Sequence, residues 1–261
     1  MTTLRVGSWK SGGVCSNINK ILAYLYKNKH REFSSLQWNV KAGNYGPLAY
    51  LHNNAELFGF LFKQDKIDKE VEIFDNPGDD NNDISWIYAK DFYGNIQLQQ
   101  EYSNIYHKYF EPRGYLMWYF EKVYEHEFRK DNNYVSILVR SDVLGPEQPR
   151  LKMPSFEEYA QYRNQFPGAT YLLSVDNEVD LKRFKEVFKP HIVNERIRRS
   201  PDRTTEPHTS NIGDIYDLYD AMCEVYMLSK AQTIIHPVSN MATTSLIINP
   251  SQHSEFLGAN K

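Results

Sequence analysis

The sequence predicts an α/β protein of two halves, each a Rossmann-like domain built around a parallel sheet. Apolar strand segments alternate along the chain with amphipathic helical segments, and this order favours parallel strands joined by crossover helices. A polar turn at residues 131–133 separates the two series of segments. A chain of 261 residues has room for two domains of ordinary size. We therefore predict an N-terminal domain over residues 1–130 and a C-terminal domain over residues 131–261.

The second half gives the clearer secondary-structure signals. Residues 134–139 form a near-continuous apolar run, which is typical of a strand buried on both faces of a parallel sheet. Ser155, with Glu158 three residues later, matches a capping box and predicts the start of a helix. The whole pattern predicts strands over residues 134–139, 170–175, 192–197 and 233–235, and helices over residues 155–165, 178–189 and 214–231, with a last short helix through residue 246.

The first half follows the same rhythm less clearly. A helix is predicted over residues 14–28, because Ile18, Ile21, Leu22 and Leu25 recur at the spacing of one helical face. The surrounding pattern predicts strands over residues 4–9, 34–40 and 71–74, and a mainly helical stretch over residues 95–129 that is broken near Pro112 and Gly114.

Composition and charge argue against several classes of function. The formal net charge is −3, so overall charge gives no sign of nucleic-acid binding. No stretch reaches the roughly 20 apolar residues that span a bilayer, and the first residues lack the pattern of a secretory leader. We therefore expect a soluble, cytoplasmic protein without a membrane span. The sequence does not predict its oligomeric state.

The cysteines and the missing motifs narrow the chemistry further. Cys15 and Cys223 both fall in amphipathic helical patterns, so we expect buried free thiols rather than a disulfide. The chain lacks a zinc-ligand quartet, the His-Glu-x-x-His motif and the Gly-x-Ser-x-Gly motif. Zinc and serine-hydrolase chemistry therefore receive no support.

Aromatic residues are frequent, and they crowd residues 86–128. The chain holds 19 Tyr, 14 Phe and 4 Trp. A rigid ring can pack on the C–H surface of a sugar while its polar tip forms hydrogen bonds. The alternative is an ordinary Tyr-rich core and surface, and the sequence leaves both open.

Polar residues follow each predicted strand of the second half. In open parallel sheets, ligands lie beyond the carboxyl ends of the strands, so this edge is the predicted binding site. The candidates at or just beyond those ends are Arg140 and Asp142, Ser174 and Asp176, Arg199 and His208, and Ser239 and Asn240.

Each candidate also has a structural explanation. Arg140 could meet a diphosphate bidentately or pair with Asp142. Asp176 could accept hydrogen bonds from a ribose or a base, or it could cap the helix that follows. Ser239 precedes a helix whose N–H groups suit a phosphate, and capping alone would explain it equally well. Arg199 and His208 could be solvated loop residues.

A glycine pair occupies the first predicted strand-to-helix turn. Gly12 and Gly13 would let a ligand approach the backbone closely there. The turn is neither a full dinucleotide-binding glycine motif nor a phosphate-binding loop with Lys and Ser or Thr. A tight turn without ligand remains the alternative.

Several short segments occur in a characteristic order along the chain. They are Ser11-Gly12-Gly13-Val14-Cys15-Ser16-Asn17, Val139-Arg140-Ser141-Asp142, Leu173-Ser174-Val175-Asp176, Arg199-Ser200 with His208, the predicted late helix around Glu224-Val225-Tyr226-Met227-Leu228-Ser229-Lys230-Ala231, and Ser239-Asn240-Met241-Ala242. Their order resembles the fucosyltransferase-like superfamily, which includes the bacterial nodulation α-1,6-fucosyltransferases and the protein O-fucosyltransferases. The resemblance covers residues 134–250 and, more loosely, the first 30.

This resemblance implies a GT-B fold, in which the parallel sheets of two Rossmann-like domains face a cleft. A sugar nucleotide, GDP-linked or another, would bind mainly to the C-terminal half, with no metal and no further cofactor. The resemblance also implies roles for particular residues: Arg140 would hold the β-phosphate, Asp176 and His208 would face the nucleotide, Ser239 and Asn240 would hold phosphate oxygens, and Gly12 and Gly13 would approach the donor from the other domain.

The function implied is transfer of a sugar to the hydroxyl of a glycan acceptor with inversion at the anomeric carbon, and fucose from GDP-fucose is the candidate donor sugar. Two alternatives stay open. One is a non-catalytic protein that binds glycans or nucleotides on the same scaffold, which Leu138 favours because the family often has His there. The other is a sugar-nucleotide epimerase, which would need no acceptor.

Overall fold

The chain folds around two parallel sheets. The computed structural model describes residues 2–6, 14–38, 61–63, 70–74, 89–125, 134–140, 153–197, 199–202 and 215–257. Within these ranges every strand pair in a sheet is parallel, and a helix lies between the first two strands of the chain and between all successive strands of the second sheet. The predicted α/β class with parallel sheets is thereby confirmed.

The first sheet has three strands in the order β2-β1-β3. They are β1 (Thr2–Val6), β2 (Phe33–Trp38) and β3 (Glu70–Phe74), and helix α1 (Val14–Lys27) connects the first two. All three strands and the helix were predicted. The end of the first predicted strand, at residues 7–9, lies outside the described residues.

The helical region that follows is interrupted where the sequence predicts a break. It comprises α2 (Ala89–Tyr93), α3 (Ile96–Tyr109) and α4 (Gly114–Tyr119), and the last continues into a π-helical turn (Phe120–Glu125). Between α3 and α4, Pro112 forms an antiparallel bridge with Phe62. The break is therefore a short extended segment that pairs with distant backbone.

The second sheet has five strands in the order β6-β5-β4-β7-β8. They are β4 (Tyr134–Val139), β5 (Thr170–Val175), β6 (His191–Val193), β7 (Thr233–His236) and β8 (His253–Phe256). The bounds predicted for β4 and β5 are correct, whereas β6 is three residues long instead of six. Strand β8 was not predicted.

Helices cover both faces of this second sheet. They are α5 (Phe156–Ala160), α6 (Tyr162–Gln165), α7 (Glu178–Val187), α8 (Ile215–Lys230) and α9 (Asn240–Ile248). Successive residues of a strand point to opposite faces. Accordingly, Ile137 and Val139 of β4 pack with Phe184 of α7, whereas Leu138 packs in the core that contains Met222 of α8.

One hydrophobic core extends from the first half into the second. It contains Ile18 and Leu22 of α1 and Tyr106 of α3 together with Met222 of α8 and Leu246 of α9, all fully buried. The helices of the two halves therefore bury apolar surface against each other. The boundary predicted near residue 130 falls outside the described residues and stays a prediction.

Both cysteines are buried and free, as predicted. A bilayer-spanning helix, one both long and apolar enough, is not found in the described part of the chain.

Candidate functional site

The structure describes six of the ten predicted site residues. Arg140, Ser174, Asp176, Arg199, Ser239 and Asn240 all lie at or just beyond the carboxyl ends of the strands of the second sheet, as expected. Gly12, Gly13, Asp142 and His208 lie outside the described residues. Their roles therefore remain predictions.

Arg140 is the first residue after the central strand β4. It is half-buried, and within the described part of the chain its guanidinium forms neither a hydrogen bond nor an ion pair. It lies close enough to the Cys15 thiol and the Glu224 carboxyl to lower the pKa of each by its charge. Arg140 is thus a fixed positive charge at the end of a rigid buried strand.

A cavity of about 290 Å³ lies next to Arg140. The end of β4, the start of α5 and one face of α7 line it, with Val139, Arg140, Ser155, Phe156, Asp180 and Arg183 among the lining residues. The other guanidinium, that of Arg183, is already engaged, because Nη2 lies 2.9 Å from Glu157 Oε1 and the guanidinium carbon lies 3.7 Å from the centroid of Phe156. Arg140 is therefore the better placed of the two lining cations to bind an anion.

Arg199 has a different geometry. Its Nε donates to the Val175 carbonyl at 3.1 Å, Nη1 to Ile197 at 3.2 Å and Nη2 to Asn194 at 2.7 Å, and its side chain is 2% exposed. The guanidinium thus ties the loop after β6 to the end of β5. These bonds also explain why β6 is short, since the chain turns back from residue 194 towards Arg199.

Asp176 follows β5, but it does not cap the next helix. Asn177 is the N-cap of α7, with its side chain accepting from Asp180 N at 2.8 Å, so the capping alternative for Asp176 was wrong. The Asp176 carbonyl instead accepts from Ser200 N at 3.0 Å, and the Asp176 carboxylate accepts from Asn177 Nδ2 at 3.1 Å. The loop that carries Arg199 is therefore paired directly with the end of β5.

Ser239 and Asn240 begin helix α9 directly after β7. The Ser239 hydroxyl accepts from Met241 N at 3.2 Å, which confirms the capping alternative. Asn240 accepts from Asn19 Nδ2 of α1 through its side-chain oxygen at 2.9 Å and its carbonyl at 3.1 Å. This turn therefore joins the second sheet to the first helix, and its phosphate-binding role remains a prediction.

A buried carboxyl group lies among these residues. Glu224 of α8 is 2% exposed, and burial raises its pKa above the usual value. Hydrogen bonds from Ser174 and Asn194 and the positive charges of Arg199 and Arg140 oppose that shift. Within the described residues, Glu224 Oε2 has no hydrogen-bond partner. Glu224 thus brings Ser174, Arg199 and Arg140 into one electrostatic cluster.

Helix α1 completes the cluster from the first half. Asn19, fully buried, also accepts from Thr244 Oγ1 at 3.0 Å. Thr244 in turn hydrogen-bonds the Cys15 thiol, whose pKa burial raises to about 12, so the thiol stays protonated. Cys15 is therefore a packing residue beside Arg140 and not a nucleophile.

Sequence reasoning assigned no role to Glu224 or Asn19. Both interrupt an apolar helical stretch, since Glu224 lies between Met222 and Val225 and Asn19 lies between Ile18 and Ile21. A polar residue at a core-facing position needs a partner, and that was the available signal. The described residues contain no group of three or more His, Cys, Asp or Glu side chains suited to a metal ion.

Comparison with known proteins identifies the fold. No protein-family model matches the chain, and no curated protein matches it by sequence. Among solved structures, NodZ α-1,6-fucosyltransferase soaked with GDP-fucose is similar at a TM-score of 0.53 with 13% identity, over 94% of this chain and 92% of that one.

Two further NodZ structures agree. The form co-crystallised with GDP has a TM-score of 0.54 at 12% identity, over 93% of this chain and 91% of that one. NodZ from Bradyrhizobium has a TM-score of 0.51 at 12% identity over the same shares. The chain therefore has the fucosyltransferase-like GT-B fold that its sequence resemblance implies.

Proposed function

We propose that this chain transfers a sugar from a nucleoside diphosphate donor to a glycan hydroxyl, with GDP-fucose as the first donor to test. The observation that carries the proposal is the position of Arg140, a guanidinium without a described partner at the end of the central strand. The fold supports it, because similar structures that cover over 90% of this chain include complexes with GDP-fucose and with GDP.

Sugar transfer requires a positive charge next to the donor bond between the sugar and the diphosphate. The bond between the anomeric carbon and the β-phosphate oxygen breaks while the acceptor hydroxyl oxygen bonds to the opposite face of that carbon and releases its proton to solvent. Negative charge then grows on the departing diphosphate, and a preorganised guanidinium stabilises that charge more in the transition state than in the bound donor. Arg140 is the described residue best suited to this role.

Neighbouring residues would position Arg140 and the nucleotide. The Glu224 carboxyl lies within electrostatic range of Arg140, and the attraction between the two groups favours the position of the Arg140 guanidinium. Arg199 holds the loop after β6 against the end of β5, where Asp176 would face the nucleotide. Ser239 and Asn240 would present the start of α9 to phosphate oxygens, since backbone N–H groups there favour anions.

Nucleotide binding is the first test. Thermal shift and calorimetry with GDP, UDP and GDP-fucose are expected to show selective stabilisation by GDP and GDP-fucose. A ligand present at about 100 times its dissociation constant adds about 2.7 kcal/mol to the free energy of unfolding. A chain that binds no nucleoside diphosphate would contradict the proposal.

Turnover tests the role of Arg140. Arg140→Ala is expected to lower kcat for sugar transfer by about 10²–10³-fold while the fold is kept, the loss typical of one transition-state hydrogen-bond donor. The matched control is Arg163→Ala, because the Arg163 guanidinium lies 5.7 Å from the ring of Tyr171, near the amino end of β5 and so away from the carboxyl ends of the strands. Normal turnover by Arg140→Ala would remove Arg140 from the mechanism. Binding without turnover would favour the non-catalytic alternative, and a changed sugar without acceptor would favour the epimerase.

A further inference from the structure

Three half-exposed aromatic side chains form one surface between α4 and the start of α8. Tyr115, Trp118 and Tyr216 are 47%, 50% and 46% exposed, and we call them the aromatic face. The only other large hydrophobic side chains exposed in the described residues are Ile96 and Val179, which belong to α3 and α7. Among the described residues, no large, strongly exposed aliphatic side chain therefore belongs to the aromatic face.

The rings of this face are held by one another and by two buried tyrosines. Tyr115 stacks on Trp118 with centroids 5.6 Å apart at 29°, and Tyr219 lies 5.5 Å from Tyr115. Tyr119 lies 5.9 Å from Tyr216 and 5.8 Å from Tyr219. A preformed cluster of this kind loses little conformational entropy when a ligand covers it.

Polar groups lie between and beneath the rings. The hydroxyls of Tyr115 and Tyr216 hydrogen-bond each other, and Tyr119 donates to Asp220 Oδ1 at 2.8 Å. Two carboxyl groups, Asp217 and Asp220, lie in the first turns of α8. Arg196 acts electrostatically on Tyr119, and Arg113 acts on Tyr219. The formal charges of these four ionisable side chains cancel, so the face suits an uncharged ligand that offers hydroxyl groups.

Within the described residues, the size of the aromatic face argues against a protein partner. An aromatic side chain buries about 150–250 Å² when covered, so three that are half exposed offer roughly 300 Å². A stable protein–protein interface needs about 800 Å² on each partner. Flat rings with polar tips, over an area this small, fit the C–H faces and hydroxyls of a short oligosaccharide.

The aromatic face lies at the same edge of the second sheet as Arg140. Helix α8 leads into β7, so it runs opposite to the parallel strands and begins beyond their carboxyl ends, where Arg140 lies. Tyr216 is the second residue of that helix.

We propose that the aromatic face of Tyr115, Trp118 and Tyr216 binds the acceptor glycan as an uncharged oligosaccharide, an inference that rests on the proposed glycosyltransferase function. Trp118 supplies the largest ring. Tyr115 and Tyr216 each supply an exposed ring surface and a hydroxyl group. The sugar to be modified extends from this face across the carboxyl edge of the second sheet towards Arg140.

Fluorescence titration of the full chain tests the binding. The probes are cellotetraose and mannotetraose, with a tetragalacturonate as the charged comparison. We expect both uncharged probes to change the tryptophan emission, and Trp118→Ala to weaken their binding about tenfold, as calorimetry measures it. Trp118→Phe is expected to recover part of the affinity. Ile96→Ala changes an apolar residue that is 71% exposed outside the face and is expected to leave binding unchanged.

Three results would overturn the proposal. The first is that neither uncharged tetrasaccharide binds at millimolar concentration. The second is that the charged probe binds better than both. The third is a solution dimer that Trp118→Ala dissociates, since the face would then belong to a second copy of the chain. Circular dichroism checks that each variant is folded.

Kinetics separate this proposal from the proposed function. If Trp118→Ala raises KM for an acceptor about tenfold with GDP affinity unchanged, both stand. If the tetrasaccharides bind through Trp118 but no GDP-sugar is turned over, the aromatic face stands as a glycan-binding site and the proposed transfer fails. If transfer occurs and Trp118→Ala leaves KM unchanged, the proposed function stands and this inference fails.

Discussion

His236 makes the stability of this protein depend on pH in a way that can be calculated. It ends β7, is fully buried, and has the rings of Tyr93 and Phe256 at 4.6 and 5.7 Å. Nδ1 lies 2.8 Å from the Pro237 carbonyl, which can only accept, so Nδ1 carries the hydrogen and Nε2 accepts from Ser254 Oγ at 2.8 Å. Burial lowers the pKa of His236 from 6.5 to about 4.

The sign and size follow from proton linkage. Because the folded pKa is the lower one, the unfolded chain binds the proton first, and stability is lost as pH falls from 6.5 towards 4. The two pKa values differ by about 2.5 pH units, which corresponds to about 3 kcal/mol in the acid limit at about 1.4 kcal/mol per unit. Between pH 7 and pH 5 the expected loss is about 2 kcal/mol.

Urea unfolding at pH 7 and pH 5 measures this loss. Between these pH values, His236→Gln is expected to lose about 2 kcal/mol less than the wild type, because the variant lacks the imidazole that takes up a proton only in the unfolded chain. The matched control is His30→Gln, which changes an exposed histidine, and it should keep the wild-type pH dependence. If His236→Gln and the wild type lose the same free energy, the buried neutral imidazole is not the cause.

Two further variants test the buried polar groups. Asn19→Ala removes three hydrogen bonds that join α1 to α9 and is expected to lower the free energy of unfolding by about 2–4 kcal/mol, as thermal unfolding measures it. The control Asn164→Ala changes an exposed residue and should lower it by under about 0.5 kcal/mol. Equal losses in the two variants would refute the role of Asn19. Burial raises the pKa of Glu224 above its usual 4.5, so the wild type loses stability as pH rises through that raised pKa. Glu224→Gln should therefore gain stability relative to the wild type as the pH rises above 4.5, and parallel pH curves would contradict this.

Strong local patterns explain what could be predicted. The apolar runs of β4 and β5 gave the correct bounds because both strands are buried on both faces. The capping box at Ser155 is present, with the Ser155 N–H donating to Glu158 Oε2 at 2.7 Å. Strand β8 escaped prediction because it lies at the sheet edge and is partly exposed, so no apolar pattern marks it. Its register comes from pairing with β7.

The candidate site depended more on context. Chain order placed Arg140 and Asp176 correctly at strand ends, because parallel strands bring their carboxyl ends to one edge. It did not distinguish Arg140, whose guanidinium has no described partner, from Arg199, whose N–H groups bond to backbone carbonyls. Asp176 and Asn177 are neighbours, and both residue types are suited to the N-cap position of α7. The backbone conformation places Asn177 at that position.

The sequence by itself determined the α/β class, the parallel sheets and the sheet edge at which polar residues lie. Hydrophobic periodicity and the order of elements along the chain can be read from the sequence because they do not depend on tertiary contacts. Only the tertiary structure decided that Glu224 and Asn19 are buried and take part in one polar cluster. It also decided that tyrosines from α4 and α8 share one surface. These outcomes depend on which distant segments come into contact. The burial of a side chain, its hydrogen-bond partners and its electrostatic environment are set only by those contacts.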